Sequence, residues 1–576
     1  MNQTSLQLTT IAQNWLDRDP DERTRSELAK LIASQDYTEL ADRFSQRLEF
    51  GTAGLRGVVG AGPNRMNRFV IQQTALGLGR YLLATIEGAA ERGVVIGYDG
   101  RPDSRSFAQD TASVLMAQGI KVYLTYKVAA TPITAFGVKQ LNACAAVVVT
   151  ASHNPPQYNG FKVYWENGAQ IIPPHDKGIA AQIDRAATET IGLLPLPQAE
   201  EQGLLVWLTE SYYEQYQRAV ISEPLLLDEH SMHELPIAYT AMHGVGAEMA
   251  RKLLTAKGFS QVYSVAEQEQ PDGTFPTVTF PNPEEPGAMD MVMATASQHQ
   301  AQLALANDPD ADRFAAALYT GEPGQYQRLT GDQVGALLAD HLLRQQPDSL
   351  VGNTIVSSMM LEHIAEHYGA SYYQTLTGFK WLTNVAMDLQ TESRPFLFAY
   401  EEALGYTIGT NVWDKDGLSA MVAFCQMAAQ LHEQGLTVWD RLAEIYHRHG
   451  CYYTAQVSIA LSDDTPNIGE FLRANPPTEI NGQSILSCWD FKTGEILHAD
   501  ESRQPLDYPS SDVLVYYLAD RSRVIIRPSG TEPKIKCYYE VVVDTMEDEQ
   551  YFEMELRAKR AMETFIAAHQ SSLPLR

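Results

Sequence analysis

Three short apolar runs, Ala145–Val149, Gln302–Ala306 and Phe396–Ala399, each stop at a polar loop. The loops are Thr150-Ala-Ser-His-Asn-Pro-Pro-Gln-Tyr-Asn-Gly-Phe-Lys162, Asn307-Asp-Pro-Asp-Ala-Asp-Arg313 and Tyr400-Glu-Glu-Ala-Leu-Gly405. Runs this short and this apolar read as strands buried on both faces. Further strands are expected at Gly93–Gly97, Lys121–Tyr126, Leu235–Thr240 and Thr354–Ser357, and helices over Phe69–Ile86, over Ser104–Gln118 and from Met360. Alternating strands and helices dictate sheets covered by helices, with ligands gathering where the strands end.

The plan recurs three times, giving domains over 1–208, 209–325 and 326–455, the aromatic stretch Tyr212–Val220 being the first connection. Residues 1–50 read as N-terminal helices. Residues 456–576 differ, with strands at Asp512–Tyr517, Ser522–Ile526 and Ile535–Val543, a turn at Arg527–Pro533 and a helix over Met546–Ala568. The expected fold class is α/β, three similar mixed-sheet α/β domains followed by a C-terminal α+β domain. A chain of 576 residues exceeds what one hydrophobic core supports.

A formal charge of −28 disfavours nucleic acid and anionic membranes as partners, since both are polyanions that need a basic face. No stretch of eighteen apolar residues occurs, and Met1–Pro20 lacks the basic and apolar regions of a signal peptide. Five cysteines with no CxxC spacing suggest reduced thiols, so a cytoplasmic protein is expected. No feature sets an oligomeric state.

The motif loops carry the chemistry. Ser152 stands beside His153 with Lys162 close by, a hydroxyl and a proton-transferring amine suited to group transfer. Asp308, Asp310 and Asp312 alternate around Pro309 and would repel one another unless a hard divalent cation such as Mg²⁺ lay between them. An EF-hand is unsuited, because Arg313 and Tyr319 occupy its Gly and Glu positions. Arg527-Pro-Ser-Gly-Thr531 offers a guanidinium, the hydroxyls of Ser529 and Thr531, and backbone N–H groups around Gly530, a phosphate cradle. Glu401 and Glu402 can accept from sugar hydroxyls, with Lys380 and Lys415 flanking them in loops. Gly51-Thr-Ala-Gly-Leu-Arg-Gly57 lets backbone approach a ligand and carries Arg56. His363-Ile-Ala-Glu-His367 matches the HxxEH zinc pattern, yet no third ligand accompanies it.

Together, Thr150–Pro155 with Asn159–Lys162, Asp308–Arg313, Glu401-Glu402 before Gly405, and Arg527–Thr531 resemble the α-D-phosphohexomutase superfamily in order and spacing. Gly51–Gly57 and Thr377-Gly378-Phe-Lys380 resemble its phosphoglucomutase and phosphopentomutase branch. The resemblance implies four domains around one central cleft, with Ser152 as phosphoserine and Mg²⁺ held by Asp308, Asp310, Asp312 and the Ser152 phosphate. It further implies Lys162 as general acid/base and Glu401 as a sugar ligand; Arg56 and Arg313 could neutralise charge at the reacting phosphate beside His153, and Thr377, Gly378, Lys380, Glu402 and Lys415 are candidate substrate-binding residues. The 527–531 loop would clamp the non-reacting phosphate, on a last domain able to swing. The implied activity is a phosphoglucomutase interconverting glucose 1-phosphate and glucose 6-phosphate through a bisphosphate intermediate, with glucose 1,6-bisphosphate as activator. Ala403 departs from the Ser that many hexose mutases carry there, which keeps pentose phosphates open as the substrate. Phosphomannomutase, bisphosphate synthesis, simple phosphatase activity and a non-catalytic binding protein are the other readings.

Overall fold

The computed structural model describes residues 3–51, 54–226, 233–462, 465–528 and 534–574. In chain order the first strands are β1 (Leu55–Val58), β2 (Val94–Tyr98), β3 (Val122–Thr125), β4 (Ala145–Val149), β5 (Tyr158–Tyr164) and β6 (Leu205–Leu208). They form one sheet in the order β1-β5-β4-β2-β3-β6. The β2/β3, β2/β4 and β3/β6 pairs are parallel, whereas β5 turns back antiparallel to β4 and pairs with β1. The second sheet repeats this plan with β7 (Ile237–Thr240), β8 (Val262–Ser264), β9 (Leu303–Asn307), β10 (Phe314–Tyr319) and β11 (Tyr326–Arg328), in the order β11-β10-β9-β7-β8. Here too parallel β9 is followed by an antiparallel return strand, β10. In the third, β12 (Leu350–Thr354) lies parallel to both β13 (Ser371–Thr375) and β14 (Phe396–Glu401).

Two compact bodies result, one of Met1–Leu329 with Ala403–Ala429, the other of Thr330–Glu402 with Gln430–Arg576. In the first, Val94, Ile96, Val147 and Val149 point into a core shared with Phe107, Leu115, Leu78 and Phe161. The second body adds to β12–β14 a C-terminal antiparallel sheet that contains Leu514–Leu518, Arg523–Pro528 and Lys534–Val543, backed by the helix Tyr551–Ser572. The mixed-sheet α/β domains and the α+β C-terminal domain are those the sequence suggests.

Several elements differ from expectation. The third-domain strand lies at Leu350–Thr354 rather than Thr354–Ser357, because the chain turns after Thr354, where Arg523 takes the carbonyls of Ile355 and Ser357. The last helix starts at Tyr551, not Met546: Asp548 has φ +61°, and Gln550 with Glu553 forms a capping box. Between β5 and Tyr212, where no element is expected, stand two helices, His175–Ala186 and Leu196–Glu201, and the edge strand β6. Among the described residues no helix is long and apolar enough to cross a membrane.

Candidate active site

The chain leaves β4 at Val149 and turns at once. The Thr150 hydroxyl accepts the Ser152 N–H at 2.8 Å and donates to Asp99 Oδ2 at 2.7 Å. Ser152 itself is held at φ +50°, left-handed backbone that non-glycine residues rarely adopt. Its Oγ donates to Asp308 Oδ2 at 2.9 Å and lies 3.1 Å from His153 Nδ1. With the hydroxyl proton directed at Asp308, Nδ1 carries the proton of the second contact. Burial, with the Arg313 and Arg56 guanidiniums, holds the His153 imidazole well below its usual range, so it is neutral at neutral pH.

Lys162 stands on β5, not on the loop with Ser152. The return strand comes so close that a Cβ on Gly160 would lie 2.4 Å from the Thr150 carbonyl oxygen, which explains the glycine. Arg56 on β1 pairs across from Gly160, and its exposed guanidinium donates to Asn154 Oδ1 at 3.1 Å.

The β9–β10 loop brings its three carboxylates together, each buried, with one oxygen from each lying within 4.8 Å of the others. Backbone explains the convergence. Ala311 takes φ +54°, Thr131 binds Asp310 through its N–H at 2.8 Å and its hydroxyl at 2.6 Å, and the Arg313 N–H donates to Asp308 Oδ1 at 2.9 Å. Gly244 of the neighbouring loop packs where a Cβ would meet Pro309 Cα at 2.4 Å. The Lys162 ammonium reaches Asp310 Oδ2 and Asp312 Oδ2, both at 2.8 Å. Burial alone would depress that ammonium, but Asp310 and Asp312 outweigh it and hold it above the usual lysine range. Asp308 is pushed well up by burial and by the other two acids. Asp310 Oδ1 and Asp312 Oδ1 are buried without a hydrogen-bond partner among the described residues. Orphaned oxygens on hard acids suit a divalent cation such as Mg²⁺.

Arg313 also pairs with Glu284 at 3.3 Å. Lys415, read from sequence as a flank of the glutamates, lies in the first body, 3.4 Å from Asp312 Oδ2.

In the second body, the Gly378 N–H donates to Glu401 Oε1 at 2.7 Å, while Ser357 and Thr354 donate to Glu402 Oε2 at 2.8 and 3.2 Å. Burial and the adjacent Glu401 push Glu402 up to about 7. Gly378 has φ +121° and precedes the helix Phe379–Leu389, so Lys380 lies in a first helical turn rather than in a loop, its ammonium 5.1 Å over the Trp381 ring. Thr377 sits just before this cap, half-buried. Arg527 and the glutamates Glu401 and Glu402 share Tyr538 as a neighbour, and burial with Glu402 raises that phenol to about 12. Ser529, Gly530 and Thr531 lie outside the described residues. His363 and His367 are on the helix Met360–Tyr368, and the aspartate triad is the one candidate metal cluster among the described residues.

Sequence reasoning missed Asp99 and Arg101. The loop Tyr98–Pro102 follows a buried strand, like the motif loops, and an acid and an Arg together at such a strand end were the available signal.

Four family models match in chain order. They are described as phosphoglucomutase/phosphomannomutase α/β/α domains I, II and III, over residues 47–190, 214–321 and 330–449, and the C-terminal domain, over 499–558. A Schizosaccharomyces pombe protein named "Probable phosphoribomutase" is 38% identical over 92% of this chain and 93% of its own. A Haemophilus influenzae protein named "Probable phosphomannomutase" is 40% identical over 82% of this chain and 92% of its own. The crystal structure of a Burkholderia thailandensis phosphoglucomutase/phosphomannomutase family protein superposes with a TM-score of 0.67 at 19% identity, covering 92% of this chain and 99% of that one. Motif loops, fold and full-length relatives agree: the chain belongs to the α-D-phosphohexomutase superfamily and is a sugar-phosphate mutase.

Proposed function

We propose that the protein moves a phosphoryl group between two hydroxyls of one sugar through phospho-Ser152, and that its preferred sugars are pentose phosphates. The observation that carries the reaction is the Ser152 Oγ held 2.9 Å from Asp308 while Lys162 is gripped by Asp310 and Asp312. A sugar monophosphate hydroxyl attacks the phosphoryl group, forming a new P–O bond as the bond to Ser152 Oγ breaks. Lys162 gives its proton to the departing Oγ and takes the one the sugar hydroxyl loses, ending as it began. The bisphosphate then presents its other phosphate, which returns to Ser152 by the reverse exchange. Phosphoryl transfer depends on positioning and charge neutralisation, roles that suit Arg56, Arg313 and Lys415, while neutral His153 orients the Oγ. Mg²⁺ held by Asp308, Asp310, Asp312 and the Ser152 phosphate would neutralise charge on the phosphoryl oxygens. Glu401, with Gly378, Thr377 and Lys380, would bind the sugar, Glu402 would brace that loop, and Arg527 with Ser529, Gly530 and Thr531 would hold the non-reacting phosphate. Glucose 1,6-bisphosphate would prime the enzyme by phosphorylating Ser152.

Pentose phosphates are favoured by Ala403, in place of the Ser of many hexose mutases, and by the name of the S. pombe relative. Glucose 1-phosphate is the second reading, because Gly51–Gly57 resemble a branch that holds phosphoglucomutases as well as phosphopentomutases. Free thiols at all five cysteines suit the cytoplasm as its compartment. Following ribose 1-phosphate, glucose 1-phosphate and mannose 1-phosphate in parallel by ³¹P NMR, with Mg²⁺ and a trace of bisphosphate, tests the choice. Ribose 1-phosphate should be converted fastest; faster turnover of glucose 1-phosphate would install the second reading.

A further inference from the structure

Arg101 is among the most enclosed cations of the first body, its side chain 1% exposed. Its guanidinium feels the charge of Asp99 and, beyond it, of Asp310 and Asp308 in the β9–β10 loop. It turns into the back of the Ser152 loop and donates to four backbone carbonyls: Ser152 at 2.7 Å, Asn154 at 2.6 Å, Pro155 at 2.8 Å and Tyr158 at 3.0 Å. Ser152, Asn154 and Pro155 belong to no strand or helix, so their carbonyls have no ladder to satisfy them, and Tyr158 is the first residue of β5. A rigid planar fork with five N–H donors can serve four spread carbonyls at once, whereas a lysine has three donors on a single nitrogen.

Asp99 fixes the fork in turn. It accepts from Arg101 Nε at 3.2 Å and from the Arg101 N–H at 3.1 Å, and it also holds the hydroxyls of Ser104, at 2.5 Å, and Thr150, at 2.7 Å. Thr150 is the residue that receives the Ser152 N–H. Ser152 is therefore held from both sides, its N–H through Thr150 and Asp99, its carbonyl through Arg101. A second-domain loop closes the arrangement from above. The Phe275 ring lies 5.0 Å from the Arg101 guanidinium carbon, and Gly273 approaches so closely that a Cβ there would sit 2.4 Å from Arg101 Cα.

We infer that Arg101, oriented by Asp99, is the positioning residue that keeps Ser152 in its left-handed conformation with the Oγ directed at the acid triad throughout the phosphoryl transfer cycle. The inference rests on Ser152 being the phosphoryl carrier. An Arg that merely packed the loop would affect folding and substrate binding alike. An Arg that sets the angle of the nucleophile affects the transfer step while leaving sugar affinity intact.

The test compares wild type, Arg101→Met and Arg101→Lys for thermal midpoint, for the rate of Ser152 phosphorylation by glucose 1,6-bisphosphate read by intact mass, and for kcat and KM on the sugar phosphate that wild type converts. Arg101→Met should fold, with kcat down about 100-fold, the scale of a 1 Å misplacement, and KM within about threefold. Phosphorylation of Ser152 should slow in parallel, and added guanidinium should restore part of the rate. Arg101→Lys should recover less than a tenth of wild-type kcat, because three donors on one nitrogen cannot reach four carbonyls held apart by a planar fork. Should Arg101→Met fail to fold, Thr150→Val, which keeps side-chain shape and removes the hydroxyl, should lower kcat about tenfold by the same argument of misplacement. Wild-type rates of Ser152 phosphorylation and turnover in a folded Arg101→Met, or in Thr150→Val in its place, would overturn the inference alone. A wild-type protein that converts sugar phosphates without phosphorylating Ser152 would overturn the proposed function, and the inference with it.

Discussion

Lys162 shows how much one side chain can be asked to do. Its ammonium is buried and balanced by two carboxylates, so removing it leaves both acids charged against each other in a water-poor site. Breaking a buried pair costs about 3–5 kcal/mol, and losing a general acid/base costs about 10²–10⁴ in rate. Lys162→Met should therefore lose mutase activity by at least about a hundredfold and melt well below wild type, with Mg²⁺ restoring more of its midpoint than it adds to wild type, since a cation replaces the lost charge. An Mg²⁺ response equal to that of wild type would contradict this account of the site. Glu402 gives a pH prediction. Its folded value, about 7, lies above the ordinary 4.5, so the folded state holds the proton longer than the unfolded chain. The stability it contributes is complete below about 4.5 and is lost as pH rises through about 7. Glu402→Gln should thus remove part of the decline in urea midpoint between pH 5 and pH 8 and flatten that profile; an unchanged slope would sink the assignment.

Among the elements, the two β-hairpins β4–β5 and β9–β10 make the site, because each ends a buried parallel strand with a loop and returns antiparallel at once. Gly160 sets how close the first return strand can run. Gly160→Ala should cost about 1–3 kcal/mol, typical of overpacking, and should shift Lys162 off the acids. Denaturation in urea together with activity checks both effects, and a variant with wild-type stability would show that the close approach is relieved elsewhere. Strand β4 is legible in the sequence to the residue, since Val147, Val148 and Val149 are β-branched, fully buried and bounded by polar chain. The outer C-terminal strand Glu495–His498 is not legible, because its residues are half-buried and show neither a clean alternation nor a continuous apolar run, whereas the edge strand β6 is a continuous apolar run, Leu205-Val-Trp-Leu208, only four residues long and half-buried at its centre. The Thr354–Ser357 error has another cause. Its β-branched residues suggest a strand, but Arg523, far away in sequence, claims the carbonyls and makes a turn.

For the whole molecule, the charge of −28 and the gathered cations Arg56, Lys162, Arg313 and Lys415 around a buried acid triad belong to one design. Each motif residue was readable as a chemical type at a strand end, and the joining of Ser152 to Asp308 across 156 positions was readable only through family resemblance. Arg101 escaped notice because the partners of its guanidinium tips are backbone carbonyls, which leave no mark on sequence, and Asp99 because the residues it holds, Thr150 and Ser104 among them, carry no sign of the pairing. A cation bound by the folded triad and not by the unfolded chain must stabilise the fold, by about 2.7 kcal/mol at one hundred times Kd. Mg²⁺ should raise the thermal midpoint of wild type, EDTA should reverse the rise, and Asp310→Asn should abolish most of it. No Mg²⁺ effect on wild type would remove the metal from the account.

The most direct test of the central claim is the chemical state of Ser152 during turnover. Wild type and Ser152→Ala, each incubated with Mg²⁺ and glucose 1,6-bisphosphate, would be compared by intact mass and peptide mapping, with mutase activity followed in the same samples. Wild type should carry one phosphoryl group, mapped to Ser152 and chased off by excess sugar monophosphate, with neither phosphorylation nor mutase activity in Ser152→Ala. Full mutase activity in Ser152→Ala, or a phosphoryl group mapped to another residue, would contradict the claim.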